Sequence, residues 1–215
     1  RIENYYMHAT TPSIYSPTTK QFALGGNAAA YGASTNPGAG WAYNADNGFA
    51  VSSNFVSQTQ YHATKNANPG GILTNEAKTS WATQVGYTQP QYAVSAIMNM
   101  KYNGWTDEYF STANGYSRSS NGANGNSTNL GLRAWWRPAD TGSATPAISA
   151  GYDSSELDDA TDGNESTDMW FLGLNWSDMF QANDKIGAAV GQPQTNDNDT
   201  VDPIAWEAYY SFKAN

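Results

Sequence analysis

Alternate residues along most of this chain form rows of apolar side chains that carry no charge. Trp170, Leu172, Leu174 and Trp176 form one such row. Thr79, Trp81, Thr83, Val85 and Tyr87 form another, followed by Tyr92, Val94, Ala96, Met98, Met100 and Tyr102. Further rows are Leu130, Leu132, Ala134 and Trp136, then Ile148, Ala150 and Tyr152, then Ile186, Ala188 and Val190. The last is Ile204, Trp206, Ala208, Tyr210 and Phe212. The interleaved rows collect Ser80, Gln84, Ser95, Asn99, Lys101, Asn129, Arg133, Arg137, Ser149, Asp153, Lys185, Glu207 and Lys213, with much Gly and Ala. A period of two is the signature of strands, because successive side chains point to opposite faces. The chain is therefore expected to be all-β, with about nine or ten strands. One face of each strand must be covered by another sheet or by lipid.

Composition narrows that choice. Only 13% of residues are charged, against roughly a quarter in a typical soluble domain. The chain nevertheless has a mean hydropathy of -0.62. Its polarity comes from Asn, Ser, Thr, Gln and Gly, beside 8 Trp and 14 Tyr. A polar lumen and loops around a thin apolar belt give that mixture in an outer-membrane barrel. A net charge of -9 argues against a nucleic-acid partner. Cysteine is absent, which excludes disulfides and thiolate metal sites. No apolar run is long enough for a transmembrane helix. The opening Arg1-Ile2-Glu3-Asn4, without an initiator Met, suggests a processed product or a fragment.

A soluble β-sandwich, binding carbohydrate or serving as a structural surface protein, would also alternate apolar and polar rows. Two patterns favour the barrel. Aromatic residues stand near strand ends, as an interfacial girdle requires: Trp81, Tyr102, Trp136, Trp170, Trp176 and Trp206. Connections alternate between short turns, such as Asp46-Asn47-Gly48, and long polar stretches at 57–77, 103–126, 154–167 and 193–202. The distance from Trp170 to Trp176 covers only about 15 Å of the bilayer normal, short of a ~25 Å belt.

Four phrases carry a family likeness: RIENYYMHATTPSIY, GLRAWWRPADTG, WFLGLNWSDMFQANDKIGAAVGQP and DPIAWEAYYSFKAN. They resemble the cyanobacterial outer-membrane porins, which belong with the carbohydrate-selective and iron-uptake porins. The spacing G-x-x-W-x-D-M-F-x-x-x-D-x-x-G, from Gly173 to Gly187, is the most distinctive. The resemblance implies a transmembrane antiparallel up-and-down β-barrel of about 16 strands, of which residues 1–215 are a partial segment. It implies a homotrimer in the bacterial outer membrane, contacting lipid and lipopolysaccharide and passing ions and small hydrophilic solutes. An S-layer-homology domain, absent from these residues, tethers such porins to peptidoglycan.

Chemistry-bearing residues are few, and neither an enzyme nor a cofactor is expected. His8 and His62 are far apart, no Gly-x-Ser-x-Gly elbow occurs, and no metal site is expected. Asp153, Glu156, Asp158, Asp159, Asp162, Glu165 and Asp168 read as a solvated acidic loop or a cation-collecting rim. Alignment with a calcium loop places Ala160 and Met169 at ligand positions. Lys101, Arg133, Arg137, Glu207 and Lys213 are the candidate pore-lining charges, since charged rings set selectivity in pores. Arg133 and Glu207 facing each other would form a transverse field. Arg137 and Lys185, beside short turns, could instead sit at a rim. The segment Arg1 to Asn36 reads equally as a loop folded into the lumen, with Arg1, Glu3 and Lys20 exposed there, or as one strand over Lys20–Gly25 with ordinary loops.

Overall fold

The structure is a computed structural model that describes residues 14–15, 28–32, 36–57, 77–105, 125–158, 165–196 and 199–213. Nine strands occur there: β1 (Gly38–Asn44), β2 (Phe49–Ser57), β3 (Thr79–Gln89), β4 (Tyr92–Tyr102), β5 (Ser127–Trp136), β6 (Ala147–Leu157), β7 (Ser166–Ser177), β8 (Lys185–Asn196) and β9 (Ala205–Ser211). One helical turn, α1 (Ala28–Tyr31), precedes them. The strands form a single sheet in chain order, and every neighbouring pair is antiparallel. The described strands thus make one continuous up-and-down layer, not the two packed layers of a sandwich.

Turn chemistry fixes this order locally. Gly48 has φ of 94°, a left-handed value that an L side chain rarely adopts, and it closes the β1–β2 hairpin. The Asn47 side chain accepts from the Phe49 amide at 3.0 Å. Neighbouring turns are then joined sideways. Gln89 donates to the Asn47 carbonyl at 2.9 Å, and Arg137 Nε donates to the Pro90 carbonyl at 2.8 Å.

The strands run further than their apolar rows. β6 continues through Ser154, Ser155 and Glu156, and β7 begins at Ser166, so Asp153, Glu156 and Asp168 of the expected acidic loop are on paired strand, while Asp158 and Glu165 lie between the strands. The rows end early because Ser, Thr, Asp and Glu carry no apolar alternation. Trp170 consequently lies inside β7 and not at its end. Between Asp168 and Trp170 the register with β8 shifts, pairing Asp168 with Thr195 and Trp170 with Gln192. Pro193 lies in the shifted stretch, where its missing N–H is tolerated by a bulge.

Connections alternate between the two ends of the sheet. Segments 45–48, 90–91, 137–146 and 178–184 join strands at one end, and β2, β4, β6 and β8 all finish at the other end, where β3, β5, β7 and β9 begin. The expected contrast in length is strong in the first half of the chain. It disappears in the second half, where 137–146 is longer than 158–165.

The two faces of the sheet are sorted opposite to a soluble protein. The charge-free rows are the exposed ones: Trp41, Tyr43, Val85, Val94, Met98, Leu132, Tyr152, Leu172, Val190 and Trp206 all stand in the open. The polar rows are buried, including Gln84, Asn99, Lys101, Asn129, Arg133, Asp153 and Glu207.

Candidate functional site

The polar face is the candidate site, and its centre is an ion pair between adjacent strands. Arg133 on β5 and Asp153 on β6 sit on the same side because Gly131 pairs with Asp153 and Arg133 with Gly151. Arg133 Nη1 donates to Asp153 Oδ1 at 2.5 Å and Nη2 to Oδ2 at 2.7 Å. Nη1 also donates to the Leu132 carbonyl at 2.9 Å. Both side chains are wholly enclosed. The guanidinium lies between two rings, 4.9 Å from the Tyr31 centroid and 5.4 Å from that of Phe171. A two-pronged carboxylate contact is the geometry that lets a buried guanidinium keep its charge.

The Arg133 charge is matched by Asp153, one strand away. Glu207 on β9 instead accepts from the Tyr15 hydroxyl at 2.5 Å. Lys101 on β4 is fully buried on the same face. Arg137 lies beyond the end of β5, exposed, over the Trp135 ring at 5.6 Å, which is the rim position. Lys213 is exposed beyond the end of β9, and Lys185 is exposed at the start of β8. Of the five candidate charges, three are buried on the polar face and two stand outside the strands. Amides and hydroxyls fill the space between charges. Ser80 Oγ donates to Asn99 Oδ1 at 2.8 Å, and Asn129 Nδ2 donates to the Asn99 carbonyl at 3.0 Å.

On the other face, Trp81, Trp136, Trp170 and Trp206 are exposed, and Tyr102 and Trp176 are half-buried. Their polar atoms find partners sideways. Trp81 Nε1 donates to Ser53 Oγ at 2.9 Å, Ser53 and Thr83 hydroxyls lie 2.9 Å apart, and Trp176 Nε1 donates to the Ala144 carbonyl at 2.8 Å. At the end holding 178–184, Tyr87 and Tyr92 approach to 6.2 Å, and Phe180, Tyr210 and Phe212 form a chain of rings at 5.9 and 5.4 Å.

The distinctive Gly173–Gly187 phrase proves to be a turn device. Asp184 accepts from the amides of Met179, Phe180 and Gln181 at 2.8, 2.9 and 3.1 Å, and from the Tyr210 hydroxyl at 3.2 Å. Asp178 accepts from the Asn183 amide at 2.7 Å. Asp178 and Asn183 have φ of 59° and 65°, a conformation that Asn and Asp tolerate. Burial alone raises the Asp184 pKa, but the three amides and the hydroxyl outweigh it, holding the carboxyl below its ordinary value.

No family model, no curated protein and no solved structure matches the chain. The account of its function therefore rests on the geometry itself. Among the described residues no cluster of three or more metal-ligating side chains occurs. His8 and His62, the Lys20–Gly25 strand, Asp159, Ala160 and Asp162 lie outside the described residues. Asp153 was legible as a member of the polar row, but its pairing with Arg133 needed the strand register.

Proposed function

We propose that this chain is part of an outer-membrane porin, its nine strands a segment of an up-and-down barrel that passes ions and small hydrophilic solutes. The inverted sorting of the two faces carries this reading. Contiguous apolar patches above a few hundred Å² are rare on soluble monomers, and here the exposed apolar rows run across the whole sheet. Lipid is the solvent that such a face matches, while a row with Arg133, Asp153, Lys101 and Glu207 matches a watery lumen.

The strand lengths support the same reading. β7 has 12 residues. At roughly 3.4 Å per residue and a tilt near 40°, such a strand covers about 30 Å of the normal, enough for a ~25 Å belt. Ser53, Thr83 and Trp81 satisfy one another on the outer face, as polar atoms in hydrocarbon must. The function has no chemical step. Lumen amides, hydroxyls and charges replace part of a solute's hydration as it passes. Assembly as a homotrimer and tethering to peptidoglycan belong to the same proposal and rest on the porin likeness alone.

Reconstitution of the full-length protein into a planar bilayer under a salt gradient tests it. Stepwise conductance with a defined reversal potential is expected. Folded, heat-modifiable protein that never conducts contradicts it.

A further inference from the structure

The polar face carries apolar side chains that a water-filled lumen would leave bare. Ile97, Met169 and Phe171 are each nearly inaccessible to solvent, although they share rows with Asn99, Thr167 and Gly173. What covers them comes from before β1. Ala30 and Tyr31 of α1 pack with Ala82 and Ile97. Tyr15 packs with Met169, Phe171 and Ala189, and against Ala205 and Tyr209. The contacts of these two short pieces reach from β3 to β9.

Each tyrosine sits where the sheet has no side chain. A Cβ added at Gly131 would lie 2.8 Å from Tyr31 Cε2, and one added at Gly173 would lie 2.6 Å from Tyr15 Cγ. Real Cβ atoms do not come that close, so any larger residue at either position displaces the ring. Polar contacts fix the same pieces. Tyr15 donates to Glu207, the Ile14 amide donates to Ser149 Oγ at 3.4 Å, and Asn99 Nδ2 donates to the Ala30 carbonyl at 3.5 Å. Tyr31 also covers the Arg133 guanidinium.

We propose that Tyr15 and Tyr31, seated on Gly173 and Gly131, set the aperture of the passage and shield its central ion pair from solute. The inference rests on the porin reading. It assigns the narrowing to two residues that precede β1 in the chain. With the rings in place, a solute meets tyrosine edges and Glu207 held in a hydrogen bond. With the rings gone, it meets Phe171, Ile97 and an accessible Arg133–Asp153 pair, in a wider space.

The test compares single-channel conductance of the full-length protein with two double variants: Tyr15→Ala with Tyr31→Ala, and Gly131→Val with Gly173→Val. The first removes the rings and the second displaces them while leaving every charge in place. Both are expected to conduct at about twice the wild-type level, because conductance follows the narrowest cross-section. Tyr15→Phe, which keeps the ring, is expected to stay near wild type. If the tyrosine pair does not fold, the glycine pair decides. Wild-type conductance from folded double variants overturns the aperture assignment and leaves the porin reading standing. Absence of conductance from the wild type itself overturns both.

Discussion

The two faces of β5 differ at every step. Trp135 is 7% exposed and its neighbour Trp136 is 39% exposed, though they share a chemistry and a peptide bond. Arg133 is enclosed while Leu132 stands in the open. The same contrast recurs in β7, where Phe171 is hidden and Leu172 is not. In water such an arrangement leaves the hydrophobic effect unused on one face and desolvates charge on the other. On the porin reading proposed above, the exposed rows are matched to an apolar medium, while the enclosed charges Arg133 and Asp153 reach stability through pairing.

That comparison can be broken from its inner side first. Asp153→Ala leaves the enclosed Arg133 without its carboxylate. Removing one partner of a buried pair costs about 3–5 kcal/mol, so denaturant unfolding should shift by that amount or folded yield should collapse. The outer face gives the next largest effect. Leu172→Arg should cost about 2–4 kcal/mol when the protein folds into lipid, because the position is at mid-strand on the apolar row. Leu132→Arg should behave alike. On a water-exposed face both would be nearly neutral, so normal folding of the two variants contradicts the lipid assignment.

Two smaller effects sharpen the picture at the edges. Asp184 has a lowered pKa, so its share of stability is complete above the ordinary carboxylate value of about 3.9 and fades as pH falls through the lower folded value. The protection of the Met179, Phe180 and Gln181 amides against hydrogen exchange, relative to their intrinsic rates at each pH, should therefore fall in acid below about pH 4 and be constant near pH 6. Asp184→Asn should remove that dependence. The smallest effect is expected from Ser53→Ala, which takes the acceptor from Trp81 Nε1. It should cost about 0.5–1.5 kcal/mol, visible as a small shift in unfolding midpoint.

The fold was legible wherever alternation was apolar. The charge-free rows of β3, β4, β5 and β7 name the strands, and Asn47-Gly48 names the first hairpin, while the neighbour order and the exposure of those rows come from the structure. Strand ends were not legible, because Ser154 to Glu156 and Ser166 to Asp168 are polar on both faces and look like loop. The site was half legible. Lys101, Arg133 and Glu207 belong to the polar rows and are buried there. Arg137 and Lys213 continue those rows in sequence but fall past the last residues of β5 and β9. The Arg133–Asp153 contact depends on register across two strands, which alternation within one strand does not encode. Gly131 and Gly173 read as unremarkable small residues, since their meaning lies in Tyr31 and Tyr15, far away in the chain. Asp184 stood inside a distinctive phrase, yet its work on three amides appears only once the turn is closed.

The most direct test of the central claim uses the tryptophan pair. Full-length protein is reconstituted into vesicles of brominated lipid, which quench indoles that touch acyl chains. Quenching is then compared among wild type, Trp135→Phe and Trp136→Phe. Lipid on the outer face predicts that Trp136→Phe loses quenchable emission while Trp135→Phe loses only emission that bromine never reached. Equal losses from the two variants, or no quenching in wild type, would contradict a face sorted for lipid.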